Sequence, residues 1–174
     1  MDNPACDVWR ELLAEYPDAK VVLTLHPKGA ETWYDSTLET IYFTETMWQF
    51  KVLEALTPFG RKFGAMSRKL IWHRGHHDTI TDRKKAIEYY HRHIETIKAA
   101  IPPDRLLVFS ADQGWAPLCG FIGVPVPASP FPNVNSRAAF QKIKRGMAMG
   151  AYVILGLGAA VIAGLVYGAV RMFS

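Results

Sequence analysis

The apolar positions of this chain fall into short blocks whose spacing alternates between helical and extended. Between Asp7 and Tyr16, Val8, Trp9, Leu12, Leu13 and Tyr16 share one helical face. Pro17-Asp18 stops that pattern, and Lys20-Val21-Val22-Leu23-Thr24-Leu25 has the apolar, β-branched composition of a buried strand. His26-Pro27-Lys28-Gly29 breaks the strand, and a second helix is predicted from near Ala30, carrying Trp33 and Tyr34. Another helical pattern runs from about Thr40 to Leu56 through Ile41, Phe43, Met47, Phe50 and Leu53. Thr81-Asp82 opens a long helix, Arg83 to Ala100, with Ile87, Tyr90, Ile94 and Ile97 as its inner stripe, and Pro102-Pro103 ends it.

Leu106-Leu107-Val108-Phe109 is again the length of a buried strand. A polar turn, Ser110 to Gly114, leads into a short amphipathic segment with Trp115, Leu118, Cys119, Phe121 and Ile122. Pro125, Pro127, Pro130 and Pro132 follow; proline lacks an amide donor and fixes φ, which predicts an extended strap lying on other elements. Helix and strand in alternation predict an α/β domain with a parallel sheet rather than a helical bundle.

Pro58 to His77 is basic (Arg61, Lys62, Arg68, Lys69, Arg74) with Phe59, Phe63, Met66, Leu70, Ile71 and Trp72 interleaved. It reads either as a solvated helix packing its apolar side on the domain, or as a basic amphipathic segment that meets a membrane or an anionic ligand. The C-terminal pattern is simpler. Met147 to Val170 has no charged residue and is long enough to cross a bilayer. Lys142, Lys144 and Arg145 precede it and Arg171 follows, so the positive-inside rule expects a tail-anchored, single-pass topology with the N-terminal part in the cytosol. Within the span, Gly156, Ala160, Gly164 and Gly168 recur every four residues. That ridge could pair two copies, or it could reflect only the ordinary abundance of small residues in membrane helices.

Composition changes this picture little. A net charge of +4 is too small to argue for nucleic acid. Cys6 and Cys119 lie far apart and read as reduced thiols, and no cleavable targeting peptide is visible at the N-terminus. His73, His76 and His77 in HRGHH, and His91 and His93 in HRH, lack the one-turn pairing with a carboxylate that zinc needs, and read as surface histidines. No metal site, Gly-x-Ser-x-Gly elbow, Cys-x-x-Cys or internal repeat is found.

One set of landmarks is more specific. Trp9-Arg10-Glu11-Leu12, Tyr16-Pro17-Asp18-Ala19-Lys20-Val21, Thr24, Trp33-Tyr34, Ser36 and His93 are followed by Arg105-Leu106-Leu107-Val108-Phe109, Gly114-Trp115 and Pro117-Leu118-Cys119. Phe121, Gly123-Val124-Pro125-Val126-Pro127, Pro130-Phe131-Pro132 and Asn135 complete the series. In that order they resemble the P-loop sulfotransferase-like family of fungal, algal and bacterial proteins, over about residues 4 to 141. The resemblance implies a doubly wound α/β domain that transfers a sulfuryl group from 3′-phosphoadenylyl sulfate to a hydroxyl or amine. It places the donor's phosphosulfate in a Gly-rich loop after the first strand. The chain shows no such loop: it starts where family members have already formed that strand. At the end of the Val21–Leu25 strand the resemblance implies an arginine and, after a short loop, a serine, both on the donor's 3′-phosphate. Ser36 matches the serine, His26 stands at the arginine position, and Lys28 offers a substitute cation without bidentate geometry. Arg137 and Lys142 could serve the nucleotide, but they read first as the basic flank of the membrane helix. His93 matches a motif position and is expected to be structural.

These readings define an incomplete P-loop doubly wound parallel sheet, mostly helical, with a partial sulfotransferase-like domain at 1–141. A basic linker at 142–146, a transmembrane helix at 147–170 and a short tail at 171–174 follow. With the central strand missing, the strands at Val21–Leu25 and Leu106–Phe109 must pair directly, gape, or recruit a strand. The expected function is a membrane-anchored sulfotransferase-like protein, inactive for want of the donor loop. The alternatives are a non-catalytic adaptor that binds lipid or a partner, and an incomplete reading frame.

Overall fold

The computed structural model describes residues 5–132 and 137–173, so Asn135 of the family series lies outside the described residues. The chain divides into two compact units, Met1–Glu39 with Met66–Val134, and Thr40–Ala65 with Asn135–Ser174.

The first unit holds the sheet. Helix α1 (Ala5–Glu15) bends at Val8, strand β1 (Val21–Leu25) follows, and α2 (Gly29–Glu39) carries Trp33 and Tyr34 into the core. A long helix, α6, spans Arg83–Ala100, and its first turn is capped by Asp82, which accepts from the Lys85 amide at 3.2 Å. Strand β2 (Leu106–Ser110) pairs directly with β1, in parallel, with Val21 opposite Leu106 and Leu25 opposite Ser110. The doubly wound sheet expected from the resemblance is thus, among the described residues, a two-stranded parallel sheet, and helices supply most of the core. The inner stripe of α6 is Ala86, Tyr90, Ile94 and Ile97; Ile87, expected inside, is half-exposed.

Helix α7 (Trp115–Ile122) ends at Gly123 in the left-handed conformation (φ 87°), and the proline segment then runs without regular structure. As predicted, it lies on other elements. The Trp115 indole donates to the Ser129 carbonyl (2.8 Å), and the Phe131 ring packs on Trp115 and Phe109 at 4.7 and 5.8 Å.

Ser67–Gly75, expected as ordinary helix, is a π-helix. Its wider winding buries Ser67, Trp72 and Gly75 and leaves Lys69, His73 and Arg74 exposed. His77 and Asp78 then turn the chain with φ of 47° and 56°, two consecutive left-handed residues without a glycine.

The second unit is helical. The continuous helix expected from Thr40 to Leu56 is broken at Met47, whose extended backbone (φ −88°, ψ 109°) separates α3 (Phe43–Thr46) from α4 (Trp48–Leu56). Helix α5 (Pro58–Met66) folds back so closely that a Cβ at Gly60 would collide with the Leu53 carbonyl. Phe43, Phe50 and Phe63 form the aromatic core, with centroids 5.5–6.5 Å apart. Helix α8 (Arg137–Met172) is continuous, so 142–146 is helical. It packs its early turns on α4. Ala151 is fully buried, Trp48 meets Tyr152 edge-on at 5.6 Å, and the Gln49 amide donates to the Tyr152 hydroxyl at 3.4 Å. From Leu155 to Phe173 every side chain is exposed, including Gly156, Ala160, Gly164 and Gly168. Ala138–Met172 is long and apolar enough to cross a membrane.

Candidate functional site

Two of the residues singled out for a 3′-phosphate, His26 and Lys28, lie at the turn that ends β1. The His26 amide donates to the Tyr90 hydroxyl (3.3 Å), which fixes the strand end on α6. The His26 carbonyl accepts from the Gly29 amide at 3.0 Å, and Gly29 turns the chain with φ of 78°. The Lys28 amide donates to His26 Nδ1 (3.2 Å), so the ring is held as an acceptor within its own turn. Burial, and then the Lys28 charge, pushes the His26 pKa below the ordinary histidine value. The arginine position of the family pattern therefore holds an uncharged ring at neutral pH. Lys28 is exposed, and Ser36 is half-buried about two helical turns along α2 from Gly29. Geometry thus joins His26 to Lys28 and sets Ser36 farther along the helix.

Arg83 was not visible as a site residue in the sequence, because its partners are about fifty positions away. Its guanidinium donates to Glu31 (2.5 and 2.9 Å) and Asp35 (2.5 Å) and lies over the Tyr34 ring at 5.0 Å. The hydrogen bond from Arg83 lowers the Asp35 pKa, and those to Asp35 and Glu31 raise that of Arg83. The guanidinium is therefore committed to the Glu31 and Asp35 carboxylates, which does not favour a phosphate there. Arg137 and Lys142 belong to α8, in the other unit.

Two concavities among the described residues of the first unit border its elements. One, of about 500 Å³, is bounded by α1, β1 and α6, with Trp9, Leu12, Leu13, Val22 and Ile97 as walls and Cys6 and His93 among its few polar groups. Burial lowers the His93 pKa, so the ring is neutral there, and the Cys6 thiol donates to Asp7 at 3.7 Å. No residue of α1 is buried, so the apolar face predicted for it borders this open space. The other is a basin of about 490 Å³ lined by Lys69, His73, Arg74, His77 and Asp78, in which His73 Nδ1 and Asp78 Oδ2 are 2.6 Å apart. Among the described residues no group of three or more His, Cys, Asp or Glu side chains could hold a metal ion.

The histidines correct the sequence reading in one place. His73, His77 and His91 are exposed as expected, whereas His76 is buried, stacked on Trp33 and Trp72 at 5.7 and 5.5 Å. Its Nδ1 has no hydrogen-bond partner, and burial pushes its pKa down to about 4. The ring follows directly on the π-helix, and no periodicity signal marked it.

Comparison with known proteins agrees with the landmarks. A sulfotransferase-domain family model matches residues 1–140. The Ava biosynthesis cluster protein M of Aspergillus versicolor is 31% identical over 140 residues, covering 76% of this chain and 52% of the relative, so the chain spans about half of that protein's length. The match takes in β1, the His26 turn, α6, β2 and α7, and on that evidence the chain belongs to the sulfotransferase-domain family.

Proposed function

We propose that the chain is a membrane-anchored sulfotransferase-like protein whose own residues hold no working site for 3′-phosphoadenylyl sulfate. The observation that carries this reading is the His26 turn: an uncharged ring tied to the Lys28 amide stands where the family pattern has a cation. His26, Lys28 and Ser36 are read as the degenerate remains of a 3′-phosphate subsite. Titration of the full chain with adenosine 3′,5′-bisphosphate is expected to show no binding at about 1 mM, weaker than about −4 kcal/mol. A micromolar dissociation constant would overturn the reading.

Helix α8 is read as the anchor, with Lys142, Lys144 and Arg145 on the cytosolic side. Gly156, Ala160, Gly164 and Gly168 are read as a close-packing dimer contact, to be tested by Gly164→Ile, which should abolish cross-linked dimers in vesicles.

A second reading is a non-catalytic adaptor. It is favoured by the π-helix, which presents Lys69, His73 and Arg74 on its exposed side around a basin. Joint Lys69→Glu and Arg74→Glu substitution should then abolish capture of anionic vesicles by the chain held in neutral nanodiscs. Undiminished capture removes this reading.

A further inference from the structure

Helix α4 packs against α8 at one particular height. Counting back from Arg171, about 20 residues at roughly 1.5 Å each cover the hydrocarbon thickness of a bilayer. The count ends at Ala151, among the described residues the one in α8 that is fully buried, where the helix packs on α4. Next to it, Tyr152 is held by the Trp48 ring and the Gln49 amide. At the opposite end of the count Tyr167 lies under the Arg171 guanidinium at 5.7 Å. Tyrosines near both ends, one backed by tryptophan, match the aromatic belts of membrane–water boundaries.

The exposed surface of α4 and α5 has the matching chemistry. Trp48, Leu56 and Phe59 are 51, 56 and 60% exposed, although they belong to a unit with a closed aromatic core of its own. Arg61 and Lys62 follow directly and are exposed. The Arg61 guanidinium reaches back to the Ala55 carbonyl (3.1 Å), which draws its charge toward the last turn of α4. Apolar side chains bordered by cations, at the depth where a spanning helix leaves the hydrocarbon, suit an interfacial helix.

We infer that α4 and the start of α5 form a foot lying in the bilayer interface beside α8, with Trp48, Leu56 and Phe59 at the headgroup–acyl boundary and Arg61 and Lys62 facing lipid phosphates. The inference rests on the reading of α8 as a membrane span. It goes beyond that reading by assigning a membrane contact to residues more than eighty positions upstream of the span. The occupant is the bilayer, because α4 is already joined to the helix that enters it.

The test uses the full chain in vesicles of phosphatidylcholine and phosphatidylglycerol, with spin labels either just below the headgroups or deep in the acyl chains. The emission lost in Trp48→Phe isolates Trp48 from the other tryptophans. That emission is expected to be quenched several-fold more by the shallow label than by the deep one. A Phe59→Trp chain supplies a second probe that does not depend on the first and should behave alike. Extraction with alkaline carbonate is run in parallel. Retention of the chain with neither probe quenched overturns the foot and leaves the anchor standing; release of the chain removes the anchor and the foot together. Trp48 quenched more strongly by the deep label also overturns the assignment, because it places α4 inside the hydrocarbon.

Discussion

Trp33 and Trp72 enclose the His76 ring and remove it from water, and its pKa falls from 6.5 to about 4. The unfolded chain takes up the proton first as pH falls through 6.5, so stability is full above that value and declines until about pH 4. At roughly 1.4 kcal/mol per pKa unit, the loss over that window is about 3 kcal/mol. Denaturant midpoints measured from pH 7 to 4 should fall in the parent and fall less in His76→Phe, which keeps the stacked ring. Parallel slopes in the two proteins would remove His76 as the cause. Gly60 gives a second expectation at this scale. Gly60→Ala drives a Cβ into the Leu53 carbonyl, a backbone atom that cannot rotate away, and should cost about 1–3 kcal/mol in unfolding free energy.

Among the elements, α6 offers a direct contrast between what the pattern implied and where the side chains lie. Ile87 and Ile94 fill equivalent positions in the predicted stripe, but only Ile94 is buried. Ile94→Ala should cost about 2–5 kcal/mol and Ile87→Ala about half as much or less, both read from equilibrium unfolding. The helix itself was legible because Asp82 caps it and Pro102 follows it, two local signals. β1 and β2 were legible for a similar reason, as short β-branched or apolar runs between proline and glycine. The break at Met47 was not legible, because Ile41, Phe43, Met47 and Phe50 keep helical spacing across it and the chain bends to close the Phe43–Phe50–Phe63 core. Nor was the π-helix, since Leu70, Ile71 and Trp72 are spaced for several windings and tertiary burial selects one. Of the candidate site, His26 and Lys28 were found through the family pattern, while Arg83 was missed because its carboxylates lie on another helix.

For the whole molecule, α8 serves two purposes along its length. Its early turns complete the second unit by covering α4 at Ala151, and its later turns, from Leu155 on, are exposed. A chain ending at 145 should therefore uncover Leu53 and aggregate. One ending after Leu155 should keep that surface covered and elute as a smaller species on size exclusion. The family was legible because its landmarks are packing residues such as Gly114-Trp115 and the proline strap. Trp115 and Phe131 pack beside β2 at Phe109, so these landmarks identify descent through packing. The direct pairing of β1 with β2 also sets an order of events in time. About 80 residues separate Leu25 from Leu106, so the sheet closes a long loop and gains nothing until the intervening helices have shortened it. The pairing of β1 with β2 is favoured only once α2 and α6 have brought the two strands together. β2 and α8 are separated only by α7 and the proline segment, so the strand that closes the sheet lies close in sequence to the most apolar segment of the chain.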